Sequence, residues 1–276
     1  MTTALKIAFV GGGNMAAALI AGLAGKLTAG SNIHVIDPHA PALEKLQAQF
    51  GVSTASAAGD TLRAMDVIVL AVKPQSMREV AAQLLPFIDA AKAPLILSIA
   101  AGIRAVDLSR WLGDYPAIVR CMPNTPALIG MGITGMVASG GVSAGQKDMA
   151  DAILRAVGST VWLDDEAQID PVTAVSGSGP AYVFYFIEAM QQAAAELGLT
   201  PEQGTQLAIA TFTGAAQLAA QSSEAVSLLR ERVTSKGGTT YAALSSMEES
   251  GVKAAIVKGI KAAAQRGREM GEELGK

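Results

Sequence analysis

Two short stretches of the chain hold residue types that packing alone does not require. "FVGGGNMAAALIAGL" (9–23) spaces Gly11, Gly13 and Ala16 as G-x-G-x-x-A. "VTSKGGTTYAAL" (233–244) sets Ser235, Lys236, Gly237, Gly238, Thr239 and Thr240 side by side in a region that otherwise reads as Ala-rich helix. In the first, small residues let a turn close and let backbone N–H groups approach an anion at a helix N-terminus, the chemistry of pyrophosphate binding. The second offers hydroxyls, N–H groups and one cation, and reads as a turn, a phosphate cradle or part of another site. It lacks the G-x-x-x-x-G-K-[ST] order of a phosphate loop and follows helix instead of strand, which argues against the cradle.

Elements on either side must hold these groups in place. "ALKIAFV" (4–10), "IHVI" (33–36), "VIVLAV" (67–72), "LILSI" (95–99), "IVRCM" (118–122), "ITGMVA" (133–138) and "TVWL" (160–163) read as strands. The early ones are apolar on both faces, as in a parallel sheet covered by helices on both sides. Helical stretches are expected at about 14–24, 40–49, 76–90 and 104–111. This alternation predicts an α/β fold, an N-terminal doubly wound Rossmann-type sheet. Past "TVWLDDE" the pattern is helical: 166–175, 180–197, 201–221, 224–232, 238–249 and 252–274. The expected division is a dinucleotide-binding domain over 1–164 and an all-α domain over 165–276. "YVFYFIEAMQQAAAEL" (182–197) is apolar almost all round in its first half and needs partners on several sides, which intertwined dimerisation would supply.

The G-x-G-x-x-A run follows the first strand and opens a helix, the context that makes it a dinucleotide site rather than a bare turn. Gly11, Gly12, Gly13, Asn14 and Met15 are its candidate cofactor-binding residues. Asp37 ends the second strand 21 residues past Ala16. An acid there either accepts from the adenosine ribose hydroxyls, favouring NAD, or caps the helix that follows. "LAVKPQ" (70–75) ends a third strand, so Ala71, Val72, Lys73 and Pro74 should line the crevice at the strands' carboxyl ends. "SIAAG" (98–102) and "RCMPNTPALIG" (120–130) stop in the same abrupt way and turn Asn124 and Thr125 toward the same rim.

Composition narrows the classes. The net charge of −3 gives no electrostatic case for nucleic acid. The apolar runs are far short of the ~20 residues that span a bilayer, and the N-terminus lacks the layout of a signal peptide. One cysteine, Cys121, excludes an internal disulfide and fits a reducing cytoplasm. With His34 and His39 the only histidines, no metal-ligand spacing exists and no metal is expected.

Taken together, "FVGGGNMAAALIAGL", "LAVKPQ", "SIAAGI", "RCMPNTPALIG", "AVSGSGPAYVF" and "VTSKGGTTYAAL" resemble the pyrroline-5-carboxylate reductases, in that family's order and from residue 8 to about 250. The resemblance implies reduction of (S)-1-pyrroline-5-carboxylate to L-proline by NADPH or NADH, and an all-helical dimerisation domain giving homodimers or rings of dimers. It also implies that Ser235, Gly237, Gly238, Thr239 and Thr240 hold the substrate carboxylate, with Thr240 at the ring nitrogen. The chain departs from the family pattern at Lys236, usually Pro. It departs again at "STASAAGD" (53–60), where Ala57 and Ala58 stand in place of a phosphate-holding Asn.

Imine reduction needs a hydride on carbon and a proton on nitrogen. The helical half has neither His nor Cys, so orientation carries the load there. N–H groups of Gly237, Gly238 and Thr239 at a helix N-terminus would bind a carboxylate without an arginine. Thr240, a poor acid, would orient a protonated iminium or a water. Lys236 either steers the carboxylate or is merely solvated, and Ser98 and the "SGSGP" turn (176–180) are secondary candidates. A β-hydroxyacid dehydrogenase would carry a catalytic Lys after such a Gly-rich turn, and "SGSGPAYVFYF" has none. A non-catalytic dinucleotide sensor would need the Gly-Gly-Thr-Thr run only as a helix cap.

Overall fold

The computed structural model describes residues 5–88 and 91–276, so the expectations for residue 4 and for residues 89–90 fall outside it. Eight strands are formed: β1 Ile7–Val10, β2 Ile33–Ile36, β3 Ser53–Ala55, β4 Val67–Leu70, β5 Leu95–Ser98, β6 Ile118–Met122, β7 Gly132–Ala138 and β8 Gly158–Trp162. They make one sheet in the order β3-β2-β1-β4-β5-β6-β7-β8. All neighbours pair in parallel except β6 and β7, which run antiparallel with Cys121 opposite Met136.

Every residue of β1, β2, β4 and β5 is buried, and successive side chains serve opposite faces. Ile7, Phe9, Val67, Val69, Leu95 and Leu97 join one core with helices α1 (Asn14–Leu23) and α2 (Ala40–Phe50). Ala8, Val10, Ile68, Leu70 and Ile96 join a second core with α3 (Met77–Leu84) and α4 (Ala105–Trp111). The first core also takes Ala150, Ile153 and Leu154 of α5 (Ala144–Arg155). Helices on both faces of a largely parallel sheet are the doubly wound arrangement that the apolar runs imply.

Departures from the expected pattern concern both whole elements and where elements end. β3 and α5 were not among the expected elements. The helix expected over 76–90 ends as an α-helix at Leu84 and tightens into a 3-10 turn, Leu85–Phe87, around Pro86. Proline has no N–H to continue the ladder.

A four-residue helix, α6 (Ile169–Val172), runs into a π-helical turn, Thr173–Gly177. Five longer helices follow: α7 (Gly179–Glu196), α8 (Pro201–Gln221), α9 (Val226–Arg232), α10 (Thr239–Glu249) and α11 (Val252–Leu274). By packing, the chain forms two units. One runs to Ser178 and takes in Ala263–Lys276; the other is Gly179–Ala262. In the helical unit α7 and α8 pack together through Phe186 and Phe212, with ring centroids 6.4 Å apart, and through Gln191 Nε2 donating to Thr205 Oγ1 at 2.8 Å. No residue of α7 is buried, and Phe184 and Tyr185 stand 59% and 73% exposed. Among the described residues no helix is long and apolar enough to cross a membrane.

Candidate dinucleotide and substrate sites

β1 lies between β2 and β4, so the chain reverses direction across the sheet there, and the crevice at the carboxyl ends of these strands is a ligand position in open α/β sheets. Hydrogen bonds close around it. Gly11 N–H donates to Ile36 O and Ala71 N–H to Val10 O, both at 2.8 Å. Gly11 has φ +101°, and a Cβ there would stand 2.7 Å from the Ala71 carbonyl oxygen. Only glycine fits at both the dihedral and the approach. The structure thus brings Gly11 and Gly12, Asp37 and Ala71 together from three strand ends.

Asp37 does not cap α2, whose N-cap is His39 without a side-chain bond. Its Oδ2 accepts from Gly12 N–H at 2.7 Å and its Oδ1 from His39 N–H at 2.8 Å. Of the two open readings, the helix cap is therefore not the one formed. Gly12 N–H is thereby used within the protein, and the anion-facing donors are those heading α1.

Gly13 is the N-cap of α1, with no side-chain cap and no acid in the first turn. Gly13 and Asn14 are exposed and Met15 is half-buried. A helix start with unfilled N–H groups and no competing carboxylate fits a pyrophosphate. Val72 is half-buried, Lys73 exposed, and Pro74 begins a 3-10 turn.

Asn124 is placed differently. Its Oδ1 accepts from Ile133 N–H at 2.9 Å and its Nδ2 donates to Ser176 O at 3.1 Å, tying the end of β6 to the π turn. Gly177 in that turn faces Met122, whose Cε would be 2.7 Å from an added Cβ. The "SGSGP" run, a secondary site candidate, spans the end of this asparagine-anchored π turn and the start of α7. Ser98, at the end of β5, is buried with its hydroxyl unpartnered.

Beside Ser98 in the β5–β6 register lies Arg120, 4% exposed. Its guanidinium meets Glu166 at 2.9 Å and Asp170 at 3.8 Å. Glu166 Oε1 also accepts from Ala105 N–H at 2.7 Å and so caps α4 from a distance. In the sequence this network shows only as a lone arginine within the apolar strand "IVRCM".

In the helical unit the Gly-Gly-Thr-Thr run forms the approach to α10. Gly237 is left-handed (φ +74°), a conformation that favours glycine, and a Cβ on Gly238 would crowd the Ser235 hydroxyl at 2.5 Å. Gly238 N–H donates to Ser235 O at 3.0 Å, which removes it from the expected donors to a ligand. Gly238 is the N-cap, again with no side-chain cap and no acid in the first turn. The N–H groups of Thr239 and Thr240 therefore head the helix without intrahelical acceptors. Thr240 is half-buried, and Ser235, Lys236 and Thr239 are exposed. Among the described residues no cluster of His, Cys, Asp and Glu could hold a metal.

A glycine-closed β1–α1 turn at the strand reversal, with an acid at the end of β2, places the chain among dinucleotide-binding doubly wound proteins. The profile described as NADP oxidoreductase coenzyme F420-dependent matches residues 6–102, and that of pyrroline-5-carboxylate reductase dimerisation matches 166–270. The chain is 46% identical over 270 residues to the pyrroline-5-carboxylate reductase of Pseudomonas aeruginosa, covering 98% of each. Its fold matches that of the Coxiella burnetii pyrroline-5-carboxylate reductase at a TM-score of 0.91 and 37% identity, over 97% of this chain and 99% of the other. It matches the Plasmodium falciparum pyrroline carboxylate reductase, solved with NADP bound, at 0.85 and 29%, over 97% and 98%. The chain belongs to the pyrroline-5-carboxylate reductase family.

Proposed function

We infer that this chain reduces (S)-1-pyrroline-5-carboxylate to L-proline, the last step of proline biosynthesis, with NADH or NADPH. The observation that carries the reading is the bare, glycine-shaped start of α10 in a chain related to these reductases along almost its whole length. The nicotinamide, when bound, supplies the hydride. Gly11, Gly12 and Gly13 give the dinucleotide room, the N–H groups of Asn14 and Met15 face its pyrophosphate, and Asp37 faces its ribose. Ala71, Val72, Lys73, Pro74 and Asn124 complete the proposed cofactor-binding set. Asn124 does so through the turn it anchors.

The substrate carboxylate is assigned to the Gly237, Thr239 and Thr240 N–H groups with the Ser235 and Thr239 hydroxyls, while Gly238 provides clearance. An anion at this helix start is favoured by the dipole without an arginine. Thr240 is the proposed catalytic residue. Its hydroxyl holds the ring nitrogen, so that hydride addition to the C=N carbon and the proton on nitrogen yield the secondary amine. This is catalysis by orientation, with reacting atoms brought to ~3–3.5 Å.

The functional division proposed is 1–164 for the cofactor and 165–276 for dimerisation and substrate, supported by the dimerisation profile's span from 166. A homodimer, and beyond it a ring of dimers, fits the exposed apolar face of α7. The single cysteine is consistent with a cytoplasmic setting.

Steady-state oxidation of either cofactor with pyrroline-5-carboxylate tests the reading; no turnover at saturating substrate refutes it. Thr240→Ala should lower kcat/KM by about 100-fold while cofactor affinity stays at the wild-type value. Unchanged turnover in that variant would remove the role assigned to Thr240.

A further inference from the structure

Asp37 is fixed through both carboxylate oxygens, by Gly12 N–H at 2.7 Å and His39 N–H at 2.8 Å. To swing aside for a second anion, this carboxylate would have to give up backbone hydrogen bonds, one of them to the glycine turn itself. Nor do the turn after Asp37 and the loop after β3 offer a guanidinium to bridge one. The turn from Asp37 to Pro41 and the stretch from Ser53 to Gly59 contain no Lys or Arg. Arg63, the first arginine beyond β3, is spent on Asp60 at 3.0 Å and on Pro86 O at 2.7 Å, and lies over the Phe87 ring. His39 in the turn and Lys45 in the second turn of α2, both exposed, are the basic side chains left on this stretch.

We propose that Asp37 is a specificity-determining residue that makes this chain prefer NADH over NADPH. The proposal rests on the dinucleotide-binding reading of the Gly11–Gly13 turn and deepens it. The lone pairs of the tethered carboxylate that remain free accept from the 2′- and 3′-hydroxyls of an unphosphorylated ribose. A 2′-phosphate removes one of those donors and sets up to two negative charges beside a third, with no guanidinium to bridge them.

The test is binding of each cofactor alone, by titration calorimetry on the full chain without substrate. NADH should bind at least about tenfold more tightly than NADPH. Asp37→Asn keeps an oxygen for Gly12 N–H and removes the charge; it should bring the two dissociation constants within about threefold, chiefly by tightening NADPH. Raising salt from about 0.05 to about 0.5 M should narrow the gap in the wild type and leave the variant's ratio flat, because screening weakens only a charge repulsion. The salt titration of the wild type stands even if the variant fails to fold.

NADPH binding as tight as NADH in the wild type overturns the proposal. So does a ratio unmoved by Asp37→Asn, or a wild-type ratio indifferent to salt. Binding of neither dinucleotide would overturn the underlying cofactor reading as well, whereas tight NADPH binding would leave that reading intact.

Discussion

Gly11 shows how one hydrogen atom in place of a side chain sets a binding site. A methyl at that position would meet the Ala71 carbonyl and hold a left-handed backbone that L-residues avoid. Gly11→Ala should therefore cost about 1–3 kcal/mol of stability in denaturant unfolding and weaken both cofactors together. That differs from the selective effect expected at Asp37. His34 makes a different prediction. It is buried on β2 with Nδ1 2.9 Å from Ser53 Oγ, and burial holds its pKa below the ordinary 6.5. The unfolded chain binds this proton first as pH falls. The stability that neutral His34 contributes is thus complete above pH 6.5 and drains as pH drops through the lowered folded value. Unfolding free energies from about pH 7.5 to about pH 5.5 should fall more steeply for the wild type than for His34→Gln.

Among the elements, the helices divide by how they begin. α5 and α8 open with complete capping boxes, Ser143 with Gln146 and Thr200 with Gln203. α1 and α10 open on glycine with no side-chain cap. An uncapped start alone does not mark a site, since α2, α3 and α9 also begin without a side-chain cap; α1 and α10 open on glycine at the candidate ligand positions. Ser143→Ala should cost about 1 kcal/mol in unfolding and leave turnover unchanged. Glu166→Ala removes both a partner of buried Arg120 and the cap of α4, and should cost about 2–4 kcal/mol in the same measurement.

Much of this level was legible in the residues. Strands such as "VIVL" are buried on both faces and so read as unbroken apolar runs, and the G-x-G-x-x-A turn carries its own context. β3 escaped because three residues, Ser53 to Ala55, at a sheet edge leave no apolar run. α5 escaped because its buried positions, Ala150, Ile153 and Leu154, gather in its second half; its Ser-x-x-Gln box was the signal available. The antiparallel turn of β7, the second bond of Asp37 to Gly12 and the bonds of Asn124 depend on distant residues meeting, which spacing along the chain does not specify.

At the scale of the whole molecule, the helical unit leaves Phe184, Tyr185, Leu207, Ile209 and Leu218 substantially exposed. Exposed apolar faces of this kind mark interaction surfaces, and a dimerisation profile spans this unit. Light scattering should give a dimer or a multiple of one, and a melting temperature that rises with protein concentration. Phe184→Asp should shift the chain toward monomer. The unit that holds the glycine turn is also discontinuous, stopping at Ser178 and resuming at Ala263. Its closing piece is not idle. Met270 and Leu274 pack beside Gly102, Gly271 is buried against Arg104, and the carbonyls of Gly275 and Lys276 accept from Arg110 and Arg78. A chain emerging from the ribosome must therefore finish all of Gly179–Ala262 before the earlier-made sheet receives its last cover. Until then the seat around Gly102 lacks its cover, so the order of synthesis, and not only the final packing, sets when this unit is complete.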